Sequence, residues 1–134
     1  MNIYTTPGYH TSSGRRWFTE CEAYSVTERC WTSIWGSRIQ QVDGRYVNRT
    51  GWMFNSLTYV ASPRSVWRGN PLATPGRHIV DGRTWVTECD TPQTGRNGCR
   101  SYILATVIVR AGGPGRYTYA WQNQLVLNNI VLFS

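Results

Sequence analysis

The sequence predicts an all-β protein of two tandem, pseudo-symmetric small β modules with a period of about 68 residues, each closed by its own disulfide. Three observations predict it. Short runs rich in Trp, Tyr, Val, Ile and Thr are punctuated by 13 Gly and 6 Pro, as strands and tight turns are. The phrase "SGRRWFTEC" (Ser13 to Cys21) returns as "DGRTWVTEC" (Asp81 to Cys89). The four cysteines fall as two near pairs, one in each copy.

The echo extends beyond that phrase. Asn2 meets Asn70, Thr6-Pro7-Gly8 meets Thr74-Pro75-Gly76, and His10 meets His78. From Asn2 to Cys21, eleven of twenty positions are identical without a gap. One extra residue then aligns Cys30 with Cys99. Farther on, "GRYVNRT" (Gly44 to Thr50) faces "GRYTYAW" (Gly115 to Trp121), and "WMFNSLTYV" (Trp52 to Val60) faces "LVLNNIVLF" (Leu125 to Phe133). The predicted division is residues 1–66 and 67–134, packed together as one binding domain. A unit near 65 residues buries only about 60% of its unfolded surface, so pairing of the copies and cross-links would support it.

Each element follows from local pattern. In "WFTECE", Trp17, Thr19 and Cys21 share one parity, as do Trp85, Thr87 and Cys89 in the second copy. That face is the expected core face, because side chains alternate along a strand. "CWTSIW" and "RSYILATVIVR" read as the next strands, the second apolar enough to be buried on both faces. Asp43-Gly44 and the segment from Gly112 to Tyr117 read as turns. "WMFNSLTYV" and "LVLNNIVLF" read as strands or a short helix, with a bulge or kink at Asn-Ser or Asn-Asn. The stretch from Ala61 to Gly76, with Pro63, Pro71 and Pro75, is the connector.

Four cysteines allow three connectivities. Repetition favours Cys21–Cys30 and Cys89–Cys99, and spacings of nine and ten residues exceed the usual spacing within a structural zinc site. Such bridges place the chain outside a reducing cytosol. All 14 basic residues are Arg, against 7 acidic ones, a net charge of +7. A surface of that sign attracts polyanions: nucleic acid, anionic wall polymers or anionic membranes. No run reaches the roughly 18 apolar residues of a membrane span. No signal peptide is evident, and the repeat begins almost at Met1, which reads as a module cut from a longer chain.

The chemistry-bearing residues come in duplicate. His10 and His78 each follow Thr-Pro-Gly by one residue, which points to a shared turn more than to catalysis. Glu20 and Glu88 lie beside the cysteines, five residues after Arg15 and Arg83, and read as local Arg–Glu pairs. No nucleophile elbow, phosphate loop or zinc-protease motif occurs. No catalytic, cofactor or metal site is predicted. The aromatics are the strongest signal, with 7 Trp and 8 Tyr. Trp17 and Trp85 match and are assigned to the core. Trp31, Trp35, Trp52 and Trp67 have no aromatic counterpart. They form, with Arg29 and Arg38, the candidate ligand contacts: indoles stack on sugar rings and guanidinium groups clamp anions. Trp31 and Trp35 share one strand face around Ser33, which is either a ligand platform or the seam between repeats. Tyr119 and Trp121 make a second candidate.

The phrases "GRTWVTECDTPQTGRNGCRSYILA", "GWMFNSLTYVASPRSVWRGNPLA" and "LNNIVLF" carry a resemblance. They resemble paired C-terminal modules of secreted and wall-associated actinobacterial proteins, and the cell-wall-binding half of endolysins from phages of corynebacteria and their relatives. The resemblance covers most of both repeats. It implies a non-catalytic module that holds an upstream lytic domain on the bacterial wall, outside the cell. The expected ligand is peptidoglycan or an attached anionic glycopolymer, with nucleic acid disfavoured. The alternatives are a secreted glycosidase or nuclease using Glu20 or Glu88 with His10 or His78, and an inhibitor or adhesin that binds a protein.

Overall fold

The computed structural model describes residues 1–134. Eight strands form one sheet: β1 (Gly8–Ser12), β2 (Arg15–Tyr24), β3 (Thr27–Val42), β4 (Arg45–Ser62), β5 (Gly76–Val80), β6 (Arg83–Cys89), β7 (Gly98–Ala111) and β8 (Thr118–Phe133). Their order is β1-β2-β3-β4-β8-β7-β6-β5. Each half is an antiparallel meander, and the halves join through one parallel pairing, β4 with β8. No helix is long and apolar enough to cross a membrane. The connector holds two short 3-10 turns, Arg64–Trp67 and Pro71–Ala73.

Turn chemistry sets the hairpins. Ser13-Gly14, Asp43-Gly44 and Asp81-Gly82 each have both φ values positive, between 50° and 77°. That is the type I′ conformation, whose twist matches that of the flanking strands and which favours Gly at the second position. The β7–β8 connection is longer, running from Gly112 to Tyr117.

The register reveals the same plan twice. Cys21 sits opposite Cys30 and Cys89 opposite Cys99, and both pairs are disulfide-bonded. Thr32 pairs with Ser56 and Ser33 with Phe54, so Asn55 is the extra residue of a bulge. Ser101 pairs with Asn129 and Tyr102 with Leu127, so Asn128 is its counterpart. Both expected irregularities are β-bulges, and both terminal runs are strands. The bulges fix "WMFNSLTYV" on "LVLNNIVLF" as the sequence suggests. They move the tips: Tyr46 corresponds to Tyr119, not to Tyr117. The longer second tip loop displaces Gly115-Arg116-Tyr117 from the position of Gly44-Arg45-Tyr46, despite identical letters.

One face of each half is capped by the chain that precedes it. Over the first half, Thr19 donates its hydroxyl to the Ile3 carbonyl (2.6 Å) and bonds Thr32 (3.0 Å). Over the second, Thr87 donates to the Pro71 carbonyl (2.8 Å) and bonds Ser101 (2.9 Å). Asn2 and Asn70 cap the two covering segments by accepting from Tyr4 and Leu72 amides. His10 and His78 donate Nε2–H to the Thr6 and Thr74 carbonyls (2.6 and 2.7 Å). The repeated Asn, Thr, His and Thr are therefore parts of one cap built twice. The buried residues beneath are small: Thr19, Thr32, Cys30, Ser56 and Thr58 in one half, Thr87, Cys99, Ser101, Asn129 and Val131 in the other. Small side chains let a backbone lie directly on the sheet. Their hydroxyls satisfy the carbonyls this would otherwise strand, which buried polar groups require.

Parallel pairing turns the second half over. Leu57 lies beside Asn129 and Thr58 beside Ile130, so each pair points to the same side. Leu57 belongs to the uncapped face of the first half and Asn129 to the capped face of the second. The two uncapped faces therefore look out on opposite sides of the sheet. The pairing spans only Leu57 to Ser62. Beyond it, the β3–β4 and β7–β8 hairpins run on as two unpaired arms. These arms curl toward each other, since β3 and β7 approach within 8 Å between Cα atoms although two strands separate them in the order. The apolar run in β7 is only half-buried along its arm, with Thr106 exposed. The expectation of burial on both faces fails because the facing arm leaves an open cleft over β7 instead of packing onto it.

Candidate functional site

The uncapped face of the first half gathers aromatic side chains. Alternation puts Tyr9 on β1, Arg16 and Phe18 on β2, Trp31, Ser33 and Trp35 on β3, and Trp52 and Phe54 on β4 on this side. Tyr9 and Phe18 have ring centroids 4.5 Å apart, Tyr9 and Trp52 5.9 Å, and Phe18 and Trp52 6.3 Å. Trp35 meets Trp52 edge to face at 5.5 Å, and the Arg16 guanidinium lies 4.7 Å over Trp35. Ser33 stands in the row of Tyr9, Phe18 and Phe54 as its one small side chain. The cluster is open to solvent: Tyr9 is 75% exposed, Phe54 53% and Trp52 42%. No segment covers it, whereas the opposite face lies under residues 1–7.

A second group lies lower on the same face. Arg29 is bonded to Glu22 (2.6 Å between Nη2 and Oε1) and sits over Tyr24 and Trp31 at 4.4 and 4.9 Å. The hydrogen bond to Glu22 raises its pKa further above the ordinary arginine value. Tyr24 packs on Tyr59, and Tyr59 on Trp67. Burial pushes the Tyr59 hydroxyl pKa up.

The structure thus brings Trp31, Trp35, Trp52 and Arg29 onto one face, joins Trp67 to its lower edge through Tyr59, and points Arg38 to the other side. Trp67 lies in the connector, where its indole N–H donates to Ser62 Oγ (2.9 Å) and its ring packs against the core around Cys99, Val131 and Phe133. Arg38 stands on the opposite parity of β3, three residues beyond Trp35 and about 10 Å from it along an extended strand. It lines the cleft between the two arms. That cleft also holds Trp121, and Tyr119 stacks on Tyr46 beside it. The second aromatic candidate of the sequence therefore belongs with Arg38. Sequence reasoning missed Tyr9, Arg16, Phe18 and Phe54. Phe18 stands on the same parity as Glu20 and Glu22 in "WFTECE", a signal of its exposure.

The residues of the enzymatic alternative are kept apart. His10 and Glu20 point to opposite faces, as do His78 and Glu88, and the cross pairs His10–Glu88 and Glu20–His78 stand on strands six places apart in the sheet. The expected Arg15–Glu20 pairing is absent for the same reason: five residues along a strand reverse the side. Arg15 instead donates to the Trp35 carbonyl (3.2 Å). No cluster of His, Cys, Asp and Glu able to hold a metal ion occurs. Only Arg29 and Arg64 of the 14 arginines are in ion pairs. No family model, no curated protein and no solved structure matches the chain.

Proposed function

We propose that this chain is a non-catalytic module that binds a bacterial cell-wall polymer, peptidoglycan or an attached anionic glycopolymer of actinobacteria. In the parent protein it would hold an upstream lytic domain on the wall. The observation that carries the reading is the open aromatic cluster of Tyr9, Phe18, Trp35 and Trp52 with Arg16 over Trp35. A contiguous exposed apolar patch on a small protein marks an interaction surface. Flat aromatic rings beside a free guanidinium suit a sugar face carrying a nearby negative charge. Two disulfides are compatible with a secreted protein. The net charge of +7 supplies long-range attraction to such polymers.

The repeats do not act as two equal sites in this reading. The positions of Trp31, Trp35 and Trp52 hold Arg100, Leu104 and Leu125 in the second half, on the side facing away. Engagement of one surface is through the first half, and the second half serves to complete the sheet.

Sedimentation with purified actinobacterial walls, intact and acid-stripped, tests the proposal. The chain should sediment with at least one preparation at low salt. Trp35→Ala and Trp52→Ala should each weaken retention about tenfold or more. Failure to sediment at low salt, or retention indifferent to both substitutions, overturns it. Capture of a protein component in place of a saccharide would support the inhibitor or adhesin alternative.

A further inference from the structure

We infer that the cleft between the two hairpin arms is a second binding site, for a saccharide carrying a carboxylate or phosphate group. It is a separate site, and it stands whether or not the aromatic face binds walls. The cleft measures about 860 Å3, within the range of small-ligand sites. Its lining straddles the pseudo-twofold relation of the repeats. Residues 37–41 of β3 correspond to 106–110 of β7, and Asn48 of β4 to Trp121 of β8; all of them line the cleft.

The two repeats differ where the chemistry lies. Arg38 corresponds to Val107, Arg110 to Gln41, and Trp121 to Asn48. Duplication would make a symmetric site; these differences make an asymmetric one, with a cation on each arm and one indole. No acidic residue lines the cleft, and neither Arg38 nor Arg110 has a carboxylate partner. Both guanidinium groups are nonetheless held. Gln40, with its amide oriented to match, accepts from Arg38 Nη2 and Nε at 2.8 and 2.9 Å, and Arg110 lies 4.1 Å over the Tyr117 ring. Two oriented, unneutralised guanidinium groups recognise carboxylate or phosphate. Carboxamides of Gln41, Asn48 and Gln124 both donate and accept, as sugar hydroxyls require. Trp121, 54% exposed, offers the stacking surface.

Calorimetric titration of the full chain tests this with three probes: trigalacturonic acid, glucose 1-phosphate and neutral maltotriose. At least one anionic probe should bind, and maltotriose about tenfold or more weakly than it. The two anionic arms separate a carboxylate source from a phosphate source. Arg38→Gln, Arg110→Gln and Trp121→Ala should each reduce that binding about tenfold. Unchanged thermal unfolding identifies variants that remain folded. Trp52→Ala, outside the cleft lining and four residues from Asn48 along β4, should leave it unchanged while weakening wall retention, so the two sites fail independently. The inference is overturned by equal binding of maltotriose, by no binding of either anionic probe, by binding indifferent to both arginines, or by loss of binding on Trp52→Ala. Tighter binding of a single-stranded oligothymidylate than of either saccharide would also overturn it.

Discussion

Tyr46 and Tyr119 stack with ring centroids 4.3 Å apart and planes 9° from parallel, and they are the same residue of the two repeats. The stack therefore lies on the pseudo-twofold relation itself. It sits far out on arms whose only backbone ladder to each other begins at Leu57 and Asn129. The sheet is forked, and the fork is clasped at its open end.

The clasp should be measurable as a coupling. Tyr46→Ala and Tyr119→Ala each remove the same contact, so their effects on urea unfolding should not add. A double-mutant cycle should give about 0.5–1.5 kcal/mol, the usual worth of an aromatic pair. Phe at either position should keep most of it. A coupling of zero would mean the arms are held together by other contacts.

One substitution should act in opposite directions at two buried threonines. Thr58 is fully buried and its hydroxyl has no partner, and the corresponding residue in the second repeat is Val131. Thr58→Val keeps the shape and removes an orphaned polar atom. Stability should rise by about 1 kcal/mol, with the unfolding midpoint up by about 3–5 °C. Thr19 has the opposite circumstance, since its hydroxyl serves Ile3 and Thr32. Thr19→Val should cost about 1–3 kcal/mol by leaving those groups unpaired. Thr87→Val should follow Thr19→Val, because its partners match. Thermal unfolding of the three variants tests all three signs.

Much of this was legible in the sequence because the cap is local. Asn2, Thr6, His10 and Thr19 recur as Asn70, Thr74, His78 and Thr87 because each fills one hydrogen-bonding role twice. The bulges at Asn55 and Asn128 were readable from Asn interrupting apolar runs. The relation between repeats was not readable. Parallel pairing of β4 with β8 leaves no short-range signature, so nothing in the sequence announces that the second half is turned over. Letter identity also misled at the tips, where a longer loop moves the equivalent tyrosine by two residues. Arg38 is a candidate contact alongside Trp31 and Trp35, and alternation along β3 points it to the other face.

Acid should loosen the connector first. Arg64 bonds the Asp90 carboxylate (2.8 Å), and this holds the Asp90 pKa below its ordinary value of 3.8; the Gly98 amide adds to it. Arg64 also reaches Asn97 and lies over Phe133, so the contact ties the connector to the end of β8. A depressed carboxylate pKa stabilises the fold above the unfolded value. That contribution is lost as pH falls through the lower folded value. Both groups are largely exposed, so salt should weaken the effect. Asp90→Asn should lower stability near neutrality and flatten the acid limb of a urea-midpoint profile. An unchanged acid limb would assign no role to this pair.

Loss of the second disulfide should cost more than loss of the first. Each closes a loop of about ten residues, worth about 2.5–3 kcal/mol on the chain-entropy model. Loop length alone predicts near equality. The surroundings do not: Cys30 pairs across the sheet with Thr58, whereas Cys99 pairs with Val131 and belongs to the apolar cluster with Phe133, Trp67 and Leu72. Truncating Cys99 therefore leaves space in the best-packed part of the molecule, and cavities add to the cost of lost cross-links. The double variant Cys89→Ala/Cys99→Ala should be the less stable by about 1 kcal/mol against Cys21→Ala/Cys30→Ala. With only 15 of 134 residues buried, little else compensates, and reduction of both bridges should unfold the chain. Urea unfolding of the two double variants, and circular dichroism with and without reductant, decide the order. Equal losses would mean that the cluster relaxes around Cys99 as freely as the hydroxyl-lined site relaxes around Cys30.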